Sequence, residues 1–248
     1  MKILVCASKV PDSATKIIVG DDNKSIDNKG VKFILNPYDE FAIEEGLRIK
    51  EKFGGEVTVV TVGEETSQDI LRTALAMGCD NAALIKTTSI PDSYQVAVNL
   101  ANYARTLAPD IILMGRQSID FDSFQVPSMT AELLNIPSAS VVSKLTIEGD
   151  TATAERDIEG GKEIVSLSMP CLISAQKGIN DPRYPKLPDI MKAKKKPIED
   201  IPFQNVAQTI EVVGIQLPDK KRVGKIVTDS DDDINEIVRL LHEDAKVI

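Results

Sequence analysis

DIILMGRQSIDFDSFQVPSMTAELL, residues 110–134, runs from an unbroken apolar stretch through a glycine into a polar loop, then into a helix carrying Met129 and Leu133. A continuous apolar run of this length fits a strand buried on both faces, which is the habit of parallel sheets. Gly115 at the strand's carboxyl end lets the chain turn tightly. Ser123 is placed to cap the helix that follows. In an open parallel sheet, ligands bind beyond the carboxyl ends of the strands. The free N–H groups of a helix start favour an anion such as phosphate there. Asp120 and Asp122 would repel a phosphate directly and are better suited to ribose hydroxyls, to backbone amides or to ordering the loop. Two readings stay open on these residues alone, a nucleotide site and a loop capped by its own aspartates.

Working outward, KILVC (2–6), VTVVTV (57–62) and AALIK (82–86) are further short apolar runs. Helical patterns lie between them at 39–53, 67–77 and 92–107, with Thr66 as a candidate N-cap for the second. Strand–helix–strand repetition at this rhythm implies parallel βαβ units with right-handed crossovers. The fold expected is α/β, a doubly wound, mostly parallel sheet, over residues 1–177. Alternation around Gly149-Asp150 in KLTIEGDTATAERDIEGG (144–161) adds a β-hairpin. IVSLS (164–168) and CLISA (171–175) add strands.

Beyond residue 178 the composition changes. Pro182, Pro185, Pro188, Pro197 and Pro202 argue against a regular core element. Leu187, Ile190 and Met191 are too apolar for a plain linker. An extended C-terminal arm over 178–248, lying on another protein, is the economical reading, and packing on its own domain is the alternative. Residues 230–244 read as a terminal helix with Ile234, Ile237, Val238 and Leu241 on one face.

The bulk numbers narrow the function. The chain has 248 residues, 42% of them apolar and 27% charged, as in ordinary globular proteins. A net charge of −9 excludes general nucleic-acid binding, which needs a cationic surface. No apolar stretch approaches the ~20 residues that span a bilayer. The apolar run at the start is too short for a signal peptide, so a cytoplasmic or organelle-matrix location is expected, with no membrane insertion. Cys6, Cys79 and Cys171 are far apart and suit reduced, buried thiols. His242 is the one histidine, so no metal site is expected. No GxGxxG, P-loop or GxSxG occurs, and no cysteine pairs with a base. The chain reads as a binder of a cofactor and not as an enzyme.

In NPYDEFAIEEGLRIKEK (36–52), Asn36-Pro37 makes a turn, Asp39 can cap the next helix and Tyr38 sits at the tip. A tip aromatic can stack on a flavin or a base, or simply wedge a helix start.

Five segments in order, GVKFILNPYDEFAIEEGLRIKEK, LRTALAMGCD, GRQSIDFDSFQ, ERDIEGGKE and INDPRYPKLPDIMKAKKKP, resemble the β (small) subunit of electron-transferring flavoproteins over roughly residues 1–200. The resemblance implies an adenine-nucleotide α-hydrolase-like fold and a heterodimer with an α subunit. It implies a structural AMP in this chain and an FAD held mainly by the α subunit. Electrons would come from acyl-CoA dehydrogenases in fatty acid β-oxidation and leave to a membrane quinone oxidoreductase. Carried over by motif, cofactor contacts fall at Cys6, Ala7, Asn36, Pro37, Tyr38, Asp39, Val62 and Gly63. They continue at Gly115, Gln117, Ser118, Ile119, Asp120, Asp122, Ser123, Phe124, Gln125 and Val126, with the phosphate at Ser123–Val126 and the flavin near Tyr38. Leu187 falls on the family's recognition-loop leucine, with Pro188, Ile190 and Met191 beside it. Asp157 falls on a carboxylate that pairs with an arginine of the α subunit. The Lys192–Lys196 run would steer docking toward an acidic patch. The short SIPDSYQVAVNLA (89–101) favours AMP over the second FAD of bifurcating relatives. That branch is one alternative; a stand-alone adenine-nucleotide-binding domain is the other.

Overall fold

The computed structural model describes residues 1–218, 224 and 226–248. Residues 219–223 and 225, inside the arm expected over 178–248, lie outside the described residues. Eleven strands are formed: β1 (Lys2–Cys6), β2 (Lys9–Pro11), β3 (Phe33–Leu35), β4 (Glu56–Gly63), β5 (Asn81–Lys86), β6 (Ile111–Gly115), β7 (Ser138–Glu148), β8 (Thr151–Ile158), β9 (Gly161–Ser168), β10 (Cys171–Ala175) and β11 (Glu199–Pro202). The α-helices are α1 (Pro37–Phe53), α2 (Gln68–Met77), α3 (Ser93–Leu107), α4 (Gln125–Leu134), α5 (Leu187–Ala193) and α6 (Asp231–Arg239).

Nine strands make one sheet in the order β11-β5-β4-β1-β6-β10-β7-β8-β9, and β2 pairs with β3 separately. From β11 to β7 every pairing is parallel, and β8 and β9 are antiparallel additions. This is the expected α/β architecture. Its two faces explain the unbroken apolar runs. Ile3 and Val5 of β1 join one buried cluster with residues of α1 and α2, while Leu4 and Cys6 join another with residues of α3 and α4. The central strands β1, β4, β5, β6 and β10 thus carry apolar residues facing both sides. Helix α1 lies so close to the sheet that a Cβ on Gly46 would meet Val5 Cγ2 at 3.2 Å.

Strand order turns at β1. The chain builds outward through β4 and β5 on one side, then returns to place β6 on the other. The crevice between the carboxyl ends of β1 and β6 is therefore the topological switch point.

The hairpin turns at Gly149-Asp150 as expected, with β9 extending it to a three-stranded meander. The region past 178 corrects the reading in two ways. Over Leu187–Ala193 and Glu199–Pro202 it forms regular structure, and up to Ile210 it bonds to its own domain, the alternative the sequence left open. Strand β11 pairs in parallel with β5 at the sheet edge, with Pro202 at its last position, where one missing N–H is tolerated. Arg72 of α2 donates to the carbonyls of Ala193 (2.7 Å) and Lys196, and Lys196 donates to the Cys79 carbonyl at 2.8 Å. Lys196 is thus a clasp, while Lys192, Lys194 and Lys195 stay exposed. Farther on, Asn99 and Gln95 of α3 hold the backbone at Gln204 and Val206, and Asp92 accepts from Thr209 N and Ile210 N. The terminal helix forms as α6 with a π-helical turn at Leu240–Asp244, and none of its residues is buried.

Candidate functional site

The site is built around Asp39. Asn36 precedes a proline, so its backbone is extended (φ −57°, ψ 127°) and α1 starts at Pro37. This puts Asp39 in the first turn, against the switch point. Asp39 is not the cap expected from the sequence. Its carboxylate accepts from Ser8 N at 2.8 Å, Ser8 Oγ at 2.7 Å and Gly115 N at 2.9 Å. It thereby ties together the chain just past β1 and the end of β6. Burial pushes its carboxyl up to about 6, against the downward pull of these donors. Gly115 must be a glycine because of this contact: a Cβ there would stand 2.4 Å from Asp39 Oδ1 and 2.7 Å from the Tyr38 carbonyl carbon.

Asn36 is fully buried and makes a second clamp. Its Nδ2 donates to the Gln117 carbonyl at 2.9 Å, and its Oδ1 accepts from Ile119 N at 3.3 Å. The loop after β6 is thus held to α1 by one amide side chain. Within the loop, Phe121 N donates to Asp120 Oδ1 at 2.8 Å, and the Gln117 amide donates to Asp122. Both aspartates are spent on ordering the loop. Asp122 and Phe124 take left-handed backbone conformations (φ 54° and 58°).

Phe124, and not Ser123, is the residue before the first turn of α4, and no side chain caps that turn. Ser123 Oγ lies 3.5 Å from Ser93 Oγ instead. The first turn of α4 contains no acidic residue, and Pro127 has no N–H, which leaves Gln125 N and Val126 N at its start. Thr66 likewise caps nothing. It lies in a 3-10 turn, Glu65–Ser67, and accepts from Lys9 Nζ at 2.8 Å.

Cys6, Ala7, Asn36, Pro37, Tyr38, Asp39 and Gly115–Val126 therefore share the carboxyl edge at β1 and β6. Val62 and Gly63 stand at the end of β4, next to β1. The Cys6 thiol is pushed up by burial and by the Asp39 charge beside it, which disfavours its thiolate form. One residue escaped the sequence reading. The Arg116 guanidinium sits 4.7 Å from the Tyr38 ring centre and 5.0 Å from that of Phe124. A lone cation between Gly115 and the acidic loop was the available signal.

The remaining expected residues lie elsewhere. Leu187 opens α5 with 73% of its surface exposed; Pro188 and Met191 are exposed beside it, and Ile190 turns in against the core. Asp157 is exposed on β8 and accepts from Ser143 Oγ at 3.4 Å.

The profile described as "Electron transfer flavoprotein domain" matches residues 24–205. The chain belongs to the electron transfer flavoprotein family. "Electron transfer flavoprotein subunit beta" of Bacillus subtilis (strain 168) is 42% identical, with all of both chains covered. The mitochondrial subunit beta of Arabidopsis thaliana is 38% identical, also over all of both chains. That of Bos taurus is 36% identical over 94% of each.

Proposed function

We propose that this chain is the nucleotide-binding β subunit of a heterodimeric electron carrier. It binds a structural AMP and completes the FAD site of an α subunit. The carrier takes electrons from acyl-CoA dehydrogenases and related dehydrogenases and passes them to a membrane quinone oxidoreductase, without bond chemistry of its own. The observation that carries the reading is the first turn of α4. It opens beside the switch point with no capping side chain and no acid, while the two nearby aspartates are engaged within the loop. Gln125 N and Val126 N would meet the phosphate. Cys6, Ala7, Val62 and Gly63 would line the adenosine side, and Tyr38 would stack at the flavin edge.

A bound flavin supplies the redox chemistry. The chain's own work is geometric. Asn36 and Asp39 fix the loop, Tyr38 shields one edge, and Leu187 is presented for docking. Asp157 would pair with an α-subunit cation. Residues 1–177 would act as the nucleotide-binding domain and 178–248 as the part that meets partners. The three buried free cysteines suit a reducing compartment, cytoplasm or organelle matrix. Among the described residues no helix is long and apolar enough to cross a membrane.

The test is to co-express the chain with its α subunit, denature the purified complex and identify the released nucleotides. One FAD and one AMP per heterodimer supports the reading. Two FAD and no AMP moves the chain to the bifurcating class. A stable flavin-free monomer that takes up ATP makes it a stand-alone nucleotide-binding domain.

A further inference from the structure

The Arg116 side chain stacks on aromatic rings and makes no side-chain hydrogen bond among the described residues. Its guanidinium lies 4.7 Å from the centre of the Tyr38 ring and 5.0 Å from that of Phe124, and its buried Nε has no hydrogen-bond partner among the described residues. Two neighbouring residues show the same shortfall. Gln117 Oε1 and Gln176 Oε1 are also buried without partners, and Arg116 N donates to the carbonyl of Ala175, the residue before Gln176, at 3.0 Å. A planar cation without polar anchors follows the rings it stacks on. Those rings belong to different parts of the site. Phe124 immediately precedes α4, and its left-handed backbone ties its position to the helix start. Tyr38 stands in the first turn of α1.

We propose that Arg116 is a positioning residue that couples the first turn of α4 to Tyr38, so that an anion bound at α4 is felt at the flavin edge. This rests on the function proposed above. A phosphate drawn to Gln125 N and Val126 N shifts Phe124, Arg116 keeps its stack, and Tyr38 is reset in turn. Each stack contributes roughly two- to fivefold to an equilibrium constant at an exposed site and more when desolvated.

The experiment uses the heterodimer with R116M and R116K. AMP affinity, the flavin visible spectrum and the flavin half-potential are measured with AMP bound and after its removal. In the wild type, the spectrum and potential should respond to AMP. R116M should bind AMP about tenfold more weakly and lose that response while keeping one FAD. R116K retains charge without a flat face and should not restore the response. A purely structural role would lower the melting temperature and leave the AMP response in place. If R116M does not assemble, F124L removes one of the two stacks and takes its place. R116M with wild-type AMP affinity and an intact AMP response overturns the coupling. A wild-type heterodimer that contains FAD and no AMP also overturns it, but through failure of the proposed function, visible without any variant.

Discussion

The switch-point cradle and the arm around Leu187 are built on opposite principles. In the cradle, two buried polar side chains, Asn36 and Asp39, bond to the backbone of two separate segments, Ser8 and residues 115–119. The arm is fastened firmly at some points yet leaves apolar side chains in water between them. Arg183 is bonded to buried Glu44 through Nε at 2.8 Å, while Tyr184, next in the chain, is 93% exposed. The first region is completed by the chain itself, so changes there should register as lost stability. The second holds exposed groups on a fixed base, so changes there should register only where another molecule docks.

The severest break expected is Gly115→Ala. A Cβ at 2.4 Å from Asp39 Oδ1 and 2.7 Å from Tyr38 backbone forces one of two packed elements to move. The expected loss is about 3 kcal/mol or more, read from the urea midpoint. A loss below about 1 kcal/mol would show that the cradle yields easily and that the contrast with the arm is false.

The same contrast decides what could be read from the sequence. KILVC and CLISA match β1 and β10 to the residue, because both faces of the sheet are covered and successive positions on either face are mostly apolar. Strand β11 was missed because an edge strand pairs on one side only, so Glu199, Asp200 and Pro202 are tolerated. The sequence favoured an arm lying on another protein, since several of its anchors pair a side chain with a backbone carbonyl, Arg72 with Ala193 and Lys196 with Cys79, which no side-chain pattern reveals. In the site, residues placed by chain direction were legible, as with Tyr38 at the start of α1 and Gly115 at the end of β6. The caps assigned to Ser123 and Asp39 were not, because the left-handed turn at Phe124 and the reach of Asp39 to Ser8 are set by tertiary packing.

Asp39→Asn is the second largest effect. An amide nitrogen cannot accept from both Ser8 N and Ser8 Oγ, so a loss of about 2 kcal/mol is expected at pH 7. The pH dependence has a definite sign. The folded carboxyl is raised from 3.8 to about 6, so between those values the folded state binds more protons than the unfolded state. Asp39 therefore makes wild-type stability fall as pH rises through that window and stay level above it. The variant lacks this slope, and its deficit should shrink between pH 4 and pH 6.5. Parallel curves for the two proteins would mean that Asp39 does not titrate there.

Glu44→Gln probes the join between the two regions. Glu44 is buried and accepts from Arg48 Nε at 3.1 Å and from Arg183 Nε and Nη2 at 2.8 and 3.0 Å. These donors hold its carboxyl below the usual glutamate range despite burial. Arg183 is partly exposed, so solvent screens the pair and the expected loss is about 1 kcal/mol. Trypsin should then cut faster after Arg183 and Lys186. Unchanged cleavage would show that the Glu44–Arg183 contact does not hold this part of the arm.

Leu187→Ala should have the smallest effect on stability and sharpens the comparison most. The side chain is 73% exposed and opens a helix of 7 residues, so its removal should change stability by less than about 0.5 kcal/mol. The proposed docking role puts its effect elsewhere. An apolar side chain presented on a fixed base loses little freedom when it enters a pocket, and such anchors dominate small interfaces. Flavin reduction by an acyl-CoA dehydrogenase should therefore slow at least tenfold at low donor concentration, with the FAD content unchanged. Leu187→Met, which keeps an apolar chain of similar volume, should recover most of the rate. A normal rate in L187A would remove the arm from donor docking, while loss of stability would mean that this leucine packs on the chain itself and that the two regions are not opposites.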